Sequence, residues 1–285
     1  MNKLTICGLG LIGGSIGLAA RERRLARVVC GLVRRPESLR EAKKRGVVDF
    51  ATMDPAEALA GADMVVIAAT LGAAEQIARQ IKPRLPEDCV VTDVGSCKQR
   101  VIERARKALG RGVRFVGVHP IAGSEQSGMS FAYAGLFEKA PCIVTPVRGT
   151  DSAAVKKVSG FWKALGSRVS VMSPEKHDRV VAAISHLPHF LAASLVNASV
   201  ATLGREKTVL DYAGSGFRDT TRVAASGAEM WEDIAMDNAG EILRAVAALE
   251  KQLAVLKKAL RRGDRESIRA ILTRAAALRR KLNAG

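Results

Sequence analysis

Aromatic residues make up only 4% of this chain, and none falls within the basic stretch that ends it. That scarcity removes the stacking platforms on which single-stranded nucleic acids are held. No uninterrupted run of eighteen apolar residues occurs, so no membrane-spanning segment is expected. The five cysteines (Cys7, Cys30, Cys89, Cys97 and Cys142) lie far apart, without CxxC or Cys/His ligand spacing. They read as reduced thiols of a cytoplasmic protein, with neither disulfides nor a metal site. The N-terminus lacks the basic region, apolar core and small-residue cleavage site of a signal peptide in sequence, and residues 4–15 read as structure. Internal repeats and low-complexity segments are absent.

Positive charge, by contrast, is abundant. The net charge is +17, and residues 251–285 alone hold eleven Lys/Arg against two Asp/Glu. Such a tail could meet nucleic acid or form the solvated face of a helix, and the missing aromatics favour the second. The remaining excess suits an enzyme whose cofactor and substrate are both anions. With 48% hydrophobic and 26% charged residues over 285 positions, the balance is that of a soluble globular protein with one large or two ordinary domains.

The first half alternates short β-branched runs with longer amphipathic stretches. Strands are expected at Leu4–Cys7, Val28–Val33, Met64–Ala68, Val90–Asp93 and Phe115–Val118, with helices such as Ala73–Ile81 and Lys98–Leu109 between them. This alternation predicts a doubly wound, mostly parallel Rossmann-type sheet covered on both faces. Cys142–Pro146 and Val169–Met172, flanking a helix near Ser152–Leu165, extend it. At Ser173 the character changes: Ser173 is an N-cap followed by Pro174 at the first helical position, and strand signals cease. Helices are expected at Pro174–Leu203, Met230–Leu260 and Arg265–Leu282, with Pro188 kinking the first or absorbed at a buried bend. The chain thus divides into a dinucleotide-binding domain over 1–172 and an all-helical domain over 173–285. The surplus apolar faces of the latter predict a homodimer.

Gly8-Leu9-Gly10-Leu11-Ile12-Gly13 follows a strand and opens a helix, with the spacing of the dinucleotide-binding turn. Gly8 allows the tight turn, Gly10 the approach of a pyrophosphate, and Gly13 the close packing of helix on strand. An NAD-selecting enzyme usually ends its second strand with an acid on the ribose 2′-hydroxyl. Here that position is Val33, followed by Arg34 and Arg35, whose guanidinium forks suit a phosphate. NADP is therefore expected in preference to NAD.

Several stretches, in order, resemble the prephenate/arogenate dehydrogenase family. They are Gly8–Ser15, Asp93-Val94-Gly95-Ser96-Cys97-Lys98, His119-Pro120-Ile121-Ala122-Gly123-Ser124-Glu125, Ser185-His186-Leu187-Pro188-His189, and Phe217-Arg218-Asp219-Thr220-Thr221-Arg222 with Trp231. The resemblance implies oxidative decarboxylation of prephenate to 4-hydroxyphenylpyruvate in tyrosine biosynthesis, or the equivalent reaction of arogenate. It implies the minimal two-domain form, without a chorismate mutase or regulatory ACT-type domain.

By the same resemblance His119 is the catalytic base, and Ser96 orients it and touches the nicotinamide. Arg222 grips a substrate carboxylate, with His189, Ser124 and Asp178 completing the substrate site and Asp178 able to pair with Arg222. Thr70 joins the fingerprint residues in holding the cofactor. His186 reads as structural. Lys98 and Glu125 stand between site-shaping and surface charge, and Trp231 between core and substrate contact. Ser215 stands where the family pattern leads us to expect glycine. β-Hydroxyacid dehydrogenases share the architecture but place a lysine base on the interdomain helix; no lysine lies between Lys176 and Lys207. A non-enzymatic dinucleotide sensor would need no set of His119, Ser96 and Arg222.

Overall fold

The computed structural model describes residues 1–110, 112–123 and 126–283. Eight strands form one sheet: β1 (Lys3–Cys7), β2 (Val28–Leu32), β3 (Phe50–Thr52), β4 (Met64–Ile67), β5 (Val90–Asp93), β6 (Arg114–Pro120), β7 (Pro141–Thr145) and β8 (Arg168–Val171), in the order β3-β2-β1-β4-β5-β6-β7-β8. The first six strands are parallel, in the order of the dinucleotide-binding sheet. Their crossovers are α1 (Leu11–Glu22), α2 (Pro36–Arg45), α3 (Pro55–Leu59), α4 (Leu71–Ile81) and α5 (Gln99–Leu109).

Strand β7 runs antiparallel to β6. Among the described residues the link between them holds only short 3₁₀ turns, Met129–Phe131 and Ala134–Phe137, and not the helix that a parallel crossover needs. Helix α6 (Ser152–Ala164), capped by Asp151, then returns the chain so that β8 is parallel to β7.

Period-2 alternation in the central strands feeds two cores. Met64 and Val66 of β4 join one cluster, which includes Leu4, Ile6 and Trp162, while Val65 and Ile67 join the other, with Cys7, Cys30 and Val91. A strand buried on both faces has no polar side, which is why these runs read as continuously apolar. The five cysteines are all buried free thiols.

Beyond β8 the described residues hold helices and no strand: α7 (Pro174–Val181), α8 (Leu187–Leu203), α9 (Glu206–Tyr212), α10 (Ser215–Thr221), α11 (Ala228–Asp237), α12 (Ala239–Arg262) and α13 (Arg265–Asn283). Ser173 caps α7 through the Lys176 N–H at 3.2 Å, and Pro174 follows it as expected. Between α7 and α8 the chain makes a π-turn over Ala182–His186. This widened turn precedes Pro188, which can give no N–H to the preceding turn and whose ring crowds the carbonyl four residues back. The expected helix Met230–Leu260 is in fact two. Asn238 breaks it, because its buried side chain bonds elsewhere in the fold.

Although strands end where expected, compactness divides the chain at a different point. One unit is Met1–Ala239 and the other Gly240–Gly285. The first extends past residue 173 because α7 packs on α5 and β7, and α11 on α4. The second is a pair of amphipathic basic helices with Leu243, Leu253, Leu260, Leu272 and Leu278 exposed. One helical stretch, Pro174–Leu203, is long and apolar enough by composition to cross a membrane, with a window of mean hydropathy 1.4 that is 28% buried. Polar residues such as His186, His189 and Asn197 interrupt it, so it contains no unbroken run of eighteen apolar residues.

Candidate active site

The fingerprint glycines are fixed by contact. Gly8 has φ +97°, and a Cβ there would lie 2.5 Å from the Ala68 carbonyl oxygen. At Gly13 a Cβ would come within 1.9 Å of the Gly8 oxygen, so any side chain would force α1 away from β1. Gly10 differs: a Cβ there meets nothing within 4 Å, and Gly10 is the N-cap of α1 with no side-chain cap. Leu11 and Ile12 therefore open a helix whose first N–H groups face space that glycine keeps clear. That fits an anion such as a pyrophosphate. Leu9 packs over Gly31 of β2, where a Cβ would lie 2.5 Å from its Cδ1.

Thr70, exposed two residues beyond Ala68, is the N-cap of α4. Val33 is buried at the position where an NAD-selecting second strand usually ends in an acid. Arg34 and Arg35 are exposed, and their guanidinium groups bond no described residue.

At the C-terminal ends of β5 and β6 the ladder stops at Thr92 and Val116. Side chains then take over. Asp93 accepts from the N–H of Val118 (3.0 Å) and of Gly95 (2.8 Å), and pairs with Lys98, whose Nζ donates to the Val118 carbonyl at 2.7 Å. Lys98 is fully buried, which settles its two sequence readings: it is structural glue beneath the next residue, His119.

His119 Nδ1 lies 2.8 Å from His177 Nε2, and His177 Nδ1 lies 2.8 Å from Asp178 Oδ1. Asp178 also accepts from the backbone N–H of Lys98 (2.8 Å) and Gln99 (3.0 Å) and from Gln99 Nε2 (3.2 Å). It thereby caps α5 from another helix. No hydrogen bond joins Ser96 to His119, whose Nδ1 is held by His177. Ser96 itself is half-buried beside the ring-bearing strand ends. The pairing with Arg222 implied for Asp178 is not among these bonds, which fill its carboxylate.

From this cluster the Asp178 backbone carbonyl accepts from Asn238 Nδ2 at 2.8 Å, and the same amide lies 3.2 Å from His186 Nδ1. The His186 ring stands edge-on to Trp231, with centroids 6.0 Å apart, and His189 stacks on Trp231 at 3.5 Å with an interplanar angle of 8°. All four histidines of the chain thus belong to one continuous polar and aromatic cluster. His189 Nδ1 and Trp231 Nε1 are buried without a partner, so each has capacity left for a ligand.

Arg222 is exposed and begins a 3₁₀ turn, Arg222–Ala225, that packs on α8, the helix bearing His189. Ser215 opens α10 after Gly214, a position that needs no glycine. Ser124 and Glu125 lie outside the described residues. Among the described residues no group of three His, Cys, Asp or Glu is arranged for a metal.

Burial holds the imidazolium of His119 well below its ordinary range, reinforced by the charges of His177, Lys98 and His186. Burial likewise lowers His177 against the pull of Asp178, and lowers His189. For Asp178 burial acts upward, but the bonds from His177, Gln99 and Lys98 outweigh it and bring the carboxyl below its usual value. The cluster is thus one carboxylate among neutral rings. Neither His177 nor Asn238 stood out in the sequence. The only signal was His177-Asp178 on the first turn after the Ser173 cap, and it carries meaning only once Asp178 is seen at the head of α5.

Residues 16–171 match the family model of the prephenate dehydrogenase nucleotide-binding domain, and residues 173–274 that of the prephenate dehydrogenase dimerization domain. A prephenate dehydrogenase of Bacillus subtilis is 38% identical over 246 residues, covering 85% of this chain and 66% of that protein, just under two thirds of its length. A cyclohexadienyl dehydrogenase of Zymomonas mobilis is 34% identical over 257 residues, covering 90% of this chain and 86% of that one. The crystal structure of prephenate dehydrogenase from A. aeolicus in complex with hydroxyphenyl propionate and NAD+ matches with a TM-score of 0.92 at 33% identity, over 99% of this chain and 98% of that one.

Buried neutral histidines make stability depend on pH. Burial lowers His186 from 6.5 to about 4. Its folded value lies below its unfolded one, so its contribution is complete above pH 6.5 and is lost as the pH falls toward 4, about 3 kcal/mol in all. Urea unfolding at pH 7 and pH 5 should show a clear drop in midpoint, and His186→Gln should make that drop smaller. An equal drop in both proteins would remove His186 as its source.

Proposed function

The chain belongs to the prephenate dehydrogenase family, and we propose that it oxidises prephenate to 4-hydroxyphenylpyruvate and CO2. The observation that carries the reading is His119 at the C-terminal end of β6, on the edge where ligands of parallel sheets bind, with one ring nitrogen held and the other available. Arogenate is the second reading, differing from prephenate only in the side-chain amino group.

A dinucleotide held at the fingerprint turn would supply the hydride acceptor for C4 of the ring. The fingerprint glycines and the head of α1 hold its pyrophosphate, with Thr70 and Ser96 beside it. His119 takes the proton of the 4-hydroxyl as that oxygen becomes a carbonyl. The ring carboxylate then leaves as CO2, its bonding electrons complete the aromatic ring, and the proton returns to the oxygen as a phenol. No net proton is gained or lost, so a base that stays neutral in its resting state suits the cycle. Arg222 meets a substrate carboxylate as a bidentate cation, and His189, stacked on Trp231, and Ser124 line the same ligand. The five reduced thiols fit a cytoplasmic setting.

Replacing His119 by Asn should lower turnover about 10²-fold or more with dinucleotide affinity intact, the scale of a lost general base. Arg222→Ala should act mainly on KM, since it removes a binding contact and not the proton acceptor. Steady-state kinetics with prephenate separates the two, and a His119→Asn enzyme of normal turnover would end this reading.

Val33 with Arg34 and Arg35 supports NADP over NAD. Dinucleotide titrations should show tighter NADP binding, lost in an Arg34→Ala/Arg35→Ala variant. A wild-type preference for NAD would make these arginines bystanders.

The match to a dimerization domain and the exposed apolar stretch of Pro174–Leu203 support a homodimer whose partner covers that surface. Sedimentation at micromolar concentration should give twice the 30.3 kDa chain mass; a monomer there would refute it.

A further inference from the structure

We infer that His177 is a positioning residue that sets the tautomer of His119, keeping the proton on Nδ1 and leaving Nε2 bare to act as the base. The inference rests on the proposed role of His119 and on the donors and acceptors along a chain of three groups, Asp178, His177 and His119.

Asp178 is the fixed end. Its oxygens accept two backbone N–H groups at the head of α5, where the helix dipole favours an anion. An ionised carboxylate has no hydrogen to give. The 2.8 Å contact between His177 Nδ1 and Asp178 Oδ1 therefore requires the proton on His177 Nδ1. A neutral His177 then has a lone pair on Nε2, so the 2.8 Å contact with His119 Nδ1 requires the proton on His119 Nδ1. The remaining nitrogen, Nε2, is unprotonated.

The alternative protonation state is an imidazolium at His177, which would donate to His119 Nδ1 and push the His119 proton onto Nε2. Burial of His177, with Lys98 nearby, opposes that state. Without His177, nothing in the chain of bonds favours Nδ1–H, and a free imidazole prefers its proton on Nε2, the atom that must be empty. When His119 takes the substrate proton it becomes a cation one ring away from a buried carboxylate, which stabilises it without moving any group. Lys98 serves both ends, since its backbone N–H holds Asp178 while its Nζ holds the carbonyl of Val118, the residue before His119.

Imidazole ¹⁵N spectra of the wild-type protein test this directly, with His119 assigned by its loss in His119→Asn. The expected result is a protonated Nδ1 and an unprotonated Nε2 on His119 at neutral pH. A protonated Nε2 would overturn the inference, and this measurement needs no variant at position 177. In His177→Leu the proton should shift to Nε2, and kcat should fall about 10- to 100-fold, part of what losing a general base costs. KM and dinucleotide affinity should stay within about threefold. His177→Gln, whose amide oxygen can still accept from Nδ1, should recover most of the turnover and the original tautomer. A His177→Leu enzyme that keeps both its tautomer and its turnover would overturn the inference while leaving His119 as the base. Normal turnover in His119→Asn would instead remove the base, and the wild-type spectrum would still decide the tautomer.

Discussion

The carboxylate of Asp178 gathers donors from two stretches of the chain: the N–H of Lys98 and Gln99, the Gln99 amide and the His177 ring. A charge this deeply buried is tolerated only when every lone pair is satisfied. Each of those donors is in turn held in place by the need to satisfy it. The start of α5, the first turn of α7 and the direction of the His177 ring are therefore one constraint seen from three sides. His119 inherits its orientation from that constraint, and Asn238, bonded to the Asp178 carbonyl, extends it to His186 and the Trp231 stack.

Electrostatics divides the molecule in a complementary way. The chain is strongly basic, at +17, yet the interior beside His119 holds neutral imidazoles, one carboxylate and the compensated Lys98–Asp93 pair. Positive charge lies outside, where Arg34, Arg35 and Arg222 are exposed. The exposed cations and the buried neutral rings are thus different residues, well separated in their surroundings.

Local signals made most of the architecture legible. Met64–Ile67 is apolar on both faces because helices cover both sides of the sheet, and the glycine spacing from Gly8 to Gly13 matches the dinucleotide-binding turn. The antiparallel turn into β7 was hidden, since it depends on what the connection lacks. The polar helix α2, the short strand β3 and the short helices α9 and α10 have too little periodicity to be read. At the site, His119 was legible through its motif neighbours. His177 was not, because its importance comes from a carboxylate and a helix end seventy-odd residues away in sequence. The division at Ala239 was likewise a matter of packing, which no local pattern encodes.

The π-turn over Ala182–His186 has a geometric effect on everything C-terminal to it. An α-helix rotates about 100° per residue, so His177 and His189, twelve positions apart, would sit about 120° apart around an unbroken helix. A single π-turn accommodates one residue without adding its rotation, which closes that offset to about 20°. The widened turn therefore acts as a phase corrector that brings two histidines onto one side of the same rod. Deleting one residue from this stretch would remove the need for the wide turn and leave a regular helix with the same offset of about 20°, whereas a regular α-helix of the present length would put the histidines about 120° apart. With the present number of residues between Val181 and Leu187, it is therefore the wide turn that the angle requires.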